Sequence, residues 1–495
     1  MSPAMRLRLP GLSPLVPAAL ACCGLLTGCT VGPDFRRPTP DVPAAWSAAS
    51  SKTQASQVDA APVDAEAWWT RFNDPELSSL IARATAQNLD ARAAALRITE
   101  ARAQRDASAA GQWPGVTADA GYQTTRLSES TPTGALFSKL DKAPGPVAVS
   151  IPNPYDQYQL GFDASWEIDL FGRIRRSLEA AKADVQASVE DARAVRVLML
   201  GDVGRAYIDL RRAQLKRQIV QADIATEQDL SSLAGQRRGA GLASQIDVAS
   251  AAAQAFSSQA QLPALDRQIT QDINQLGKLM AREPGALRAE LEVARPIPPA
   301  PPRVPAGLPA DLARRRPDIR ESEARLHAAT ARVGVATADL FPRLTLSAQG
   351  GYQAQHPAQL LNWASRFLIA GPSIELPIFD AGRRRATVRL QGIRAQEAAL
   401  DYRRTVLSAL HEVDNALAAY DADQSRRDLV ALAVARNREA LDLARQRYAS
   451  GVASFITVLD AERALQQNQL ALADGEAAIS TDLIGLYKAL GGGWG

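Results

Sequence analysis

Two stretches of sequence, RYASGVASFITV at residues 447–458 and RRGAGLASQIDV at residues 237–248, predict how this chain folds. At an offset of 210 positions, six of their twelve residues are identical: Arg, Gly, Ala, Ser, Ile and Val. Each copy has a glycine, Gly241 or Gly451, between two long alanine-rich segments with helical periodicity. Because glycine readily adopts left-handed backbone angles, it ends one helix and reverses the chain into the next. The sequence therefore predicts two copies of one long helical hairpin.

The composition narrows the classes to which the protein can belong. A chain of 495 residues is long for one domain, but the repeated halves favour a single architecture. Aromatic residues make up 5% of the chain, which suits closely packed helices better than a thick globular core. With 56 basic and 53 acidic residues the formal charge is +3, so a nucleic-acid partner has no support.

The amino terminus has the pattern of an export signal followed by a lipid attachment site. Two arginines precede a short apolar run, and LTGC follows at residues 26–29. This order is typical of a secretory signal that is removed and resembles a bacterial lipobox. The resemblance implies a signal peptide at 1–28, acyl chains on Cys29 and, since Thr30 follows, sorting to the outer membrane. Cys29 is then the one cysteine of the mature chain, so no disulfide or cysteine metal site is expected.

Four segments of about ten residues change from the helical period to a period of two. In each half the change comes after an aromatic residue and a proline, Trp113-Pro114 and Phe341-Pro342. One apolar and one polar face over this length is the pattern of a transmembrane β-strand. Pro372 departs from the rules for strands. The alternating segments are Val116–Gln123, Gln157–Ile168, Leu344–Gln353 and Leu368–Leu376.

Four strands in one chain leave two interpretations open. They are either half-buried strands of a soluble sheet or part of a membrane barrel. Four strands cannot close a barrel, and unpaired edges do not survive in lipid. Two, three or four copies of the chain would supply eight, twelve or sixteen strands. Because both ends of each strand pair continue into helices, all helices must lie on one side of the membrane, which is the periplasm if the loops face outward.

The longest helical segments carry heptad repeats with small side chains, which indicate closely approached coiled-coil packing. A proline-rich stretch at 284–309 separates the two halves and reads as a stiff connector without helix. A long soluble helical bundle would explain the heptads but not the strands. The repeated positions are Val185, Ala192, Met199, Ala206, Ala213 and Val220 in the first half, and Val388, Ala395, Tyr402, Ala409 and Ala416 in the second.

Five separated motifs, in this order along the chain, resemble one family. The chain is similar to the outer membrane factors of tripartite efflux systems, the TolC superfamily, and most of all to their NodT/OprM-type lipoprotein branch. The resemblance covers nearly the whole mature chain. The motifs are CTVGPDF (29–35), the segment 68–80, GLPADLARRRPDIRESEARL (307–326), LPIFDAG (376–382) and YKALGGG (487–493).

The resemblance implies a membrane α+β fold and a division of the chain. A homotrimer would share a 12-strand outer-membrane β-barrel, four strands per chain, continued by a long α-helical periplasmic tunnel. The implied parts are a signal peptide (1–28), a lipid-anchored tether (29–66), a first outer membrane efflux repeat (67–283), the connector (284–309), a second repeat (310–490) and a tail (491–495).

The function that the resemblance implies is that of an exit duct. It would passively conduct drugs or other small molecules to the outside, and its partners would be outer-membrane lipid, a periplasmic adaptor protein and an inner-membrane pump, usually a proton-driven one. Two alternatives stay open: the exit duct of a type I protein secretion system, and a structural coiled-coil lipoprotein without a pore.

The resemblance also implies roles for residues at the two turns. The hairpin tips would dock the adaptor, and Ile456, Asp460 and Arg463 would form the constriction of the pore. Their spacing places these three side chains on one helix face. Thr457 stands where TolC has a further aspartate, so two arrangements stay open, with and without an outer acidic ring, and Asp460 pairing only locally is the alternative to a role in the pore. The tip residues are Gly241, Ala243, Ser244, Gly451, Ala453 and Ser454.

The sequence does not favour an enzyme. The three histidines, His327, His356 and His411, lie far apart without metal-ligand spacing, and no nucleophile elbow or phosphate-binding loop stands out. No cofactor is expected, and energy for transport must come from a partner. The arginine runs at 314–316 and 383–385 are interpreted as solvated faces or membrane-proximal charges.

Overall fold

In the computed structural model, the chain divides into two compact units. The first contains Met1–Arg36, Ala101–Asp184 and Leu326–Ala398, and the second contains Arg37–Glu100, Val185–Arg325 and Ala399–Gly495. The signal peptide and Cys29 lie outside the described residues. The residues described are 30–39, 42–47, 58–59, 67–141, 153–300, 304–305 and 309–493.

The first unit contains a four-stranded antiparallel sheet, as the alternating segments predict. The order β1-β2-β3-β4 follows the chain, so β1 and β4 are the edges. Tyr122 pairs with Tyr158 across β1 and β2, and Ile168 pairs with Leu344 across β2 and β3. The strands are β1 (Gly115–Thr125), β2 (Tyr155–Ile168), β3 (Arg343–Ala354) and β4 (Arg366–Glu375).

The register places the apolar residues of all four strands in shared rows. Phe162 lies between Ala118 and Gly350, and Leu368 follows on β4. Because directly opposed residues of an antiparallel pair lie on the same face, one face of the sheet is apolar and the other mainly polar. Pro372 lies in β4, which is an edge strand in this chain, and edge strands tolerate proline.

The amino-terminal part of the predicted tether is extended but packed. In the first unit, Phe35 stacks on His327 with ring centroids 4.3 Å apart, and Asp34 pairs with the buried Arg176. His327 Nε2 lies 2.9 Å from Glu179 Oε1. In the second unit, Trp46 is buried in the apolar core. The segment is therefore bound to the folded chain along its described residues.

Helices make up most of the described chain. Apolar residues recur at helical spacing from Pro75 to Gln112, and the structure has two helices there, because Asn88 ends the first and its side chain donates to Leu279 O and accepts from Ala91 N. The helices are α1 (Pro75–Gln87), α2 (Leu89–Ala110), α3 (Pro132–Asp141), α4 (Arg173–Gly239), α5 (Gln245–Gln259), α6 (Leu262–Leu279), α7 (Arg288–Leu291), α8 (Leu312–Arg315), α9 (Pro317–Ala338), α10 (Arg383–Ala449) and α11 (Phe455–Ala489).

Heptad positions of α4 and α10 are buried in the second unit, among them Met199, Ala206 and Val220 on α4 and Tyr402 and Ala409 on α10, while Ala416 is half-buried. Most of these side chains belong to one apolar cluster, which also contains Trp68, stacked on Tyr487. A second cluster lies around Tyr448, Phe455 and Leu459. Small side chains in a continuous stripe allow the helix backbones to approach closely, as the sequence predicts.

Two interpretations of the middle of the chain are wrong in part. The connector at 284–309 contains one helical turn, α7, whose Leu291 is buried in the core. Arg316 is not a solvated charge, because it is buried and pairs with Asp318 and Glu412. Among the residues that the structure describes, no helix combines the length and the apolar character needed to cross a membrane.

Candidate functional site: the hairpin tips and the helix after the second tip

The two predicted tips have the same backbone geometry. Gly241 and Gly451 have φ of 74° and 77°, in the left-handed region that favours glycine. Leu242 N donates to Arg237 O at 2.8 Å, and Val452 N donates to Arg447 O at 2.9 Å. Gly241 N donates to Arg238 O and Gly451 N donates to Tyr448 O, each three residues earlier and at 2.9 Å. Each turn is therefore a Schellman motif that satisfies the last carbonyls of a long helix.

The tips expose polar and apolar groups together. Gly241, Ser244, Gly451 and Ser454 are exposed, and Ala243 and Ala453 are half-buried. The sequence reasoning missed Leu242 and Val452, which follow the two glycines and are each 68% exposed. The sequence could have indicated them, because each is an apolar residue directly after the turn glycine, where a chain reversal leaves the side chain in solvent. Each tip therefore presents one aliphatic side chain beside exposed turn backbone.

The helix after the first tip, α5, begins with a complete capping box. Ser244 Oγ accepts from Asp247 N at 3.2 Å, and Ser244 N donates to Asp247 Oδ2 at 2.9 Å. The helix after the second tip, α11, begins differently. Ser454 Oγ lies 3.2 Å from the hydroxyl of Thr457, which occupies the position equivalent to Asp247, and Ser454 makes no side-chain cap bond.

The three predicted constriction residues lie together on the exposed face of α11. Ile456, Asp460 and Arg463 are all exposed, as the spacing of four and three residues predicts. Arg463 Nη1 lies 4.0 Å from Asp460 Oδ1, and both side chains are more than half exposed, so this pair is weak. In the single chain Asp460 therefore stays largely exposed beside a weakly held partner.

Away from this exposed face lie two buried carboxylates that the sequence did not predict, Glu462 on α11 and Glu227 on α4. Glu462 is buried, and neither of its carboxylate oxygens accepts a hydrogen bond from any residue that the structure describes. Arg445 Nη2 on α10 lies 3.7 Å from Glu462 Oε1. Glu227 on α4 is also buried and accepts from Gln254 at 3.0 Å and from Ser258 at 2.8 Å.

Burial dominates the electrostatics of this cluster. It raises the pKa of Glu462 to about 7, although Arg445 acts in the opposite direction. It raises the pKa of Asp223 on α4 to about 6. The exposed and buried faces are linked, because Arg463 Nε donates to Gln254 Oε1 at 2.8 Å while Gln254 Nε2 donates to Glu227. The signal for this cluster in the sequence is a set of charged residues at helix positions whose spacing matches that of the buried apolar residues.

The predicted arginine run after β4 is partly structural. Arg384 donates to the Asp339 carbonyl at 2.6 Å and lies near Asp380, whereas Arg383 and Arg385 are exposed. Among the described residues, no group of three or more His, Cys, Asp and Glu side chains is arranged to hold a metal ion.

Comparisons with known proteins agree along most of the chain. The family described as outer membrane efflux protein matches residues 80–282 and 308–492. The solvent efflux pump outer membrane protein SrpC of Pseudomonas putida is 32% identical over 476 residues, covering 95% of this chain and 96% of SrpC. The outer membrane protein OprJ of Pseudomonas aeruginosa is 32% identical over 487 residues, covering 96% and 95%.

Solved structures have the same fold. The outer-membrane channel OprN superposes with a TM-score of 0.85 at 34% identity, covering 94% of this chain and 100% of OprN. The channel CusC superposes with a TM-score of 0.81 at 27% identity, covering 94% and 100%.

Proposed function

This chain belongs to the outer membrane efflux protein family, and from that premise we propose the assembly and the residues by which it acts. The protein is the outer-membrane exit duct of a tripartite efflux pump and is located in the outer membrane. The family is one of efflux channels and not of enzymes. Relatives named as solvent and toluene efflux proteins support small, apolar molecules as cargo for this chain too.

The assembly that we propose is a homotrimer sharing one barrel. One chain supplies four strands with two open edges, β1 and β4, and an apolar sheet face. Open edges and single strands are excluded from lipid, so neighbouring copies must pair them. Three chains give twelve strands, and the apolar rows then face lipid while the polar rows face the lumen. The helices would continue the barrel as a periplasmic tunnel.

The partners are an adaptor protein and an inner-membrane pump, usually a proton-driven one. We assign adaptor docking to the tips, at Gly241, Ala243 and Ser244 of the first and the equivalent residues of the second, with Leu242 and Val452 as apolar contacts. Exposed turn backbone next to one aliphatic side chain suits a helical partner that buries apolar area and satisfies tip hydrogen bonds. The second-tip residues are Gly451, Ala453 and Ser454.

The remaining parts of the chain take the predicted roles within this proposal. Residues 29–66 are the lipid-anchored segment, with Cys29 as the acylated residue, and 67–283 and 310–490 are the two efflux repeats. The described part of residues 30–47 packs against the folded chain, which supports an anchor held close to the body. Acyl chains on Cys29 would then hold the same body at the membrane.

The observation on which the pore proposal rests is the exposed, weakly paired Asp460 on the same face as Ile456 and Arg463. In a trimer, three copies of this carboxylate would surround one axis, attract cations and pair with neighbouring copies to narrow the aperture. Thr457 replaces one acidic group nearby, so the ring that we propose carries three charges and not six.

Planar-bilayer recordings test this assignment. Asp460→Ala should raise the single-channel conductance several-fold and lower the preference for cations, because both the charge and its inter-chain pairing are lost. Asp460→Glu keeps the charge and should keep the preference for cations. A well-folded trimer without channel activity would contradict the duct itself. Unchanged conductance and selectivity in Asp460→Ala would contradict only the constriction.

A further inference from the structure

The strand-to-helix junctions of the two halves have equivalent residues. Phe171 follows β2 and Phe379 follows β4, at an offset of 208 positions. Each junction then has a glycine, Gly172 or Gly382, with φ of 85°. The aromatic residue that precedes the other strand of each half is likewise repeated, since Trp113 and Phe341 both stand before a proline, at an offset of 228.

Within one chain, the first junction has a ring partner. Phe171 stacks on Phe341 with centroids 4.8 Å apart and an interplanar angle of 21°. This stack continues the sheet register, because Ile168 and Leu344 are the last pair of β2 and β3, and each ring lies three residues beyond that pair. The end of β2 and the beginning of β3, the two central strands, are therefore joined by an aromatic stack beyond the last pair of their register.

The second junction has no such partner within its own chain. Phe379 is 88% exposed and Ile378 is 91% exposed. Trp113, the repeat equivalent of Phe341, is 74% exposed. Among the residues that the structure describes, no ring contact joins Phe379 or Trp113 to another aromatic side chain. Phe379 follows β4 and Trp113 precedes β1, so each of these two residues lies beside one of the two open edges of the same sheet.

We propose that Phe379 of one copy stacks on Trp113 of the neighbouring copy, as Phe171 stacks on Phe341 within one chain. The proposal rests on the proposed trimer and adds its inter-chain register. Applying the repeat offsets to the pair Ile168 and Leu344 places Leu376 opposite Val116 of the neighbouring copy. Both of these apolar side chains are exposed in the single chain.

The chemistry of the two edges fits a second copy better than lipid alone. An aromatic ring buries a large apolar area, and an offset or stacked ring pair has its own geometric preference. Lipid covers apolar side chains without fixing their direction, but it cannot satisfy the open hydrogen-bonding edges that lie beside them. One contact between copies would cover the rings and pair the edges together.

Cysteine cross-linking in isolated outer membranes tests the register. The double variant Phe379→Cys with Trp113→Cys should give covalent dimers and trimers with a short bifunctional thiol reagent. Phe171→Cys with Phe341→Cys is the matched control, and it should link within one chain with a yield within about two-fold, since ring stacks hold both pairs at similar separation. Phe379→Cys with Tyr122→Cys, at the far end of β1, should give no covalent oligomer.

Two further measurements keep failure of the register distinct from failure of the assembly. Native mass measurement of each variant reports whether a trimer forms at all. The stack would be overturned if the trimer stays intact and the control pair links, but Phe379→Cys and Trp113→Cys do not. It would also be overturned if a lipid-phase reagent labelled Phe379→Cys in the trimer as fast as it labels a fully exposed cysteine. A monomeric wild-type protein would overturn both proposals. If the double variant Phe379→Cys with Trp113→Cys does not fold, the pair Leu376→Cys with Val116→Cys tests the same register.

Discussion

The two hairpin tips have the same backbone geometry but are stabilised by different side-chain contacts. Both turns are Schellman motifs built on a left-handed glycine. The first tip is closed by the reciprocal hydrogen bonds of Ser244 and Asp247, which lie in solvent. The second tip instead buries Phe455, whose ring lies 5.2 Å from that of Tyr448. Polar contacts in water are worth little compared with burial of a ring, so the second tip should open less readily than the first.

The largest expected effect comes from removing the buried ring. Phe455→Ala leaves a cavity in the apolar cluster around Tyr448 and should lower the free energy of opening of this segment by about 3–4 kcal/mol. Gln245→Ala is the matched control, because Gln245 occupies the equivalent position after the first tip and is exposed. Its effect should stay within about 0.5 kcal/mol.

Native-state hydrogen exchange measures both opening free energies. Amides in residues 444–465 should lose protection in Phe455→Ala, and amides in residues 234–250 should keep theirs in Gln245→Ala. Equal effects of the two variants would mean that the tips are held alike, which contradicts the comparison.

A second difference between the tips is the carboxylate of Glu462, where the first copy has Ala252. Burial raises the pKa of Glu462 to about 7 from an ordinary value of 4.5. Between these pH values the folded protein holds a proton that the unfolded chain releases, so the contribution of Glu462 to stability falls as pH rises from 4.5 to 7. Above pH 7 this loss is about 2 kcal/mol, allowing for solvent screening.

Glu462→Gln should remove that loss. In urea unfolding of the detergent-solubilised protein, the variant should be more stable than the wild type above pH 7 and equal to it near pH 4. The charged groups that face Glu462 are Arg445 from α10 and Asp223 and Glu227 from α4. Their own titrations affect both proteins, so the difference between the two isolates Glu462. A stability difference that does not change with pH would contradict the buried, proton-binding Glu462.

The two repeated tip sequences show which features could be predicted from sequence and which could not. Arg237 and Arg447 are identical residues in matched positions, and the pattern cannot distinguish them. In the structure, Arg237 donates to Tyr448 O at 2.7 Å and lies over the Tyr448 ring, whereas Arg447 is exposed. The turn positions could be predicted because a left-handed residue is a local requirement. The partner of an arginine side chain depends on a helix that returns some 200 residues later in the chain.

The same distinction explains which elements were predicted. The strands and the heptad stripes follow from local periodicity, and the structure has them near their predicted positions. The break at Asn88 does not follow from local periodicity, because the Asn88 side-chain amide donates to the carbonyl of Leu279, which is distant in sequence. Glu462 and Arg316 were missed for a related reason: whether a charged residue is buried depends on what covers it.

The smallest expected effect tests the caps directly. Ser244→Ala removes the acceptor for Asp247 N and should lower the opening free energy of the first tip by about 1 kcal/mol. Ser454→Ala should change the second tip by a few tenths of a kcal/mol, because Ser454 has only the hydroxyl contact to Thr457. Hydrogen exchange of the first turns of α5 and α11 would measure both. If Ser454→Ala opened its tip as much as Ser244→Ala, buried Phe455 would not be what holds the second turn, and the tips would differ in sequence but not in mechanism. If only Ser244→Ala lowers the opening free energy of its tip, the adaptor that we propose to dock at both tips would contact one turn that adjusts and one that stays fixed.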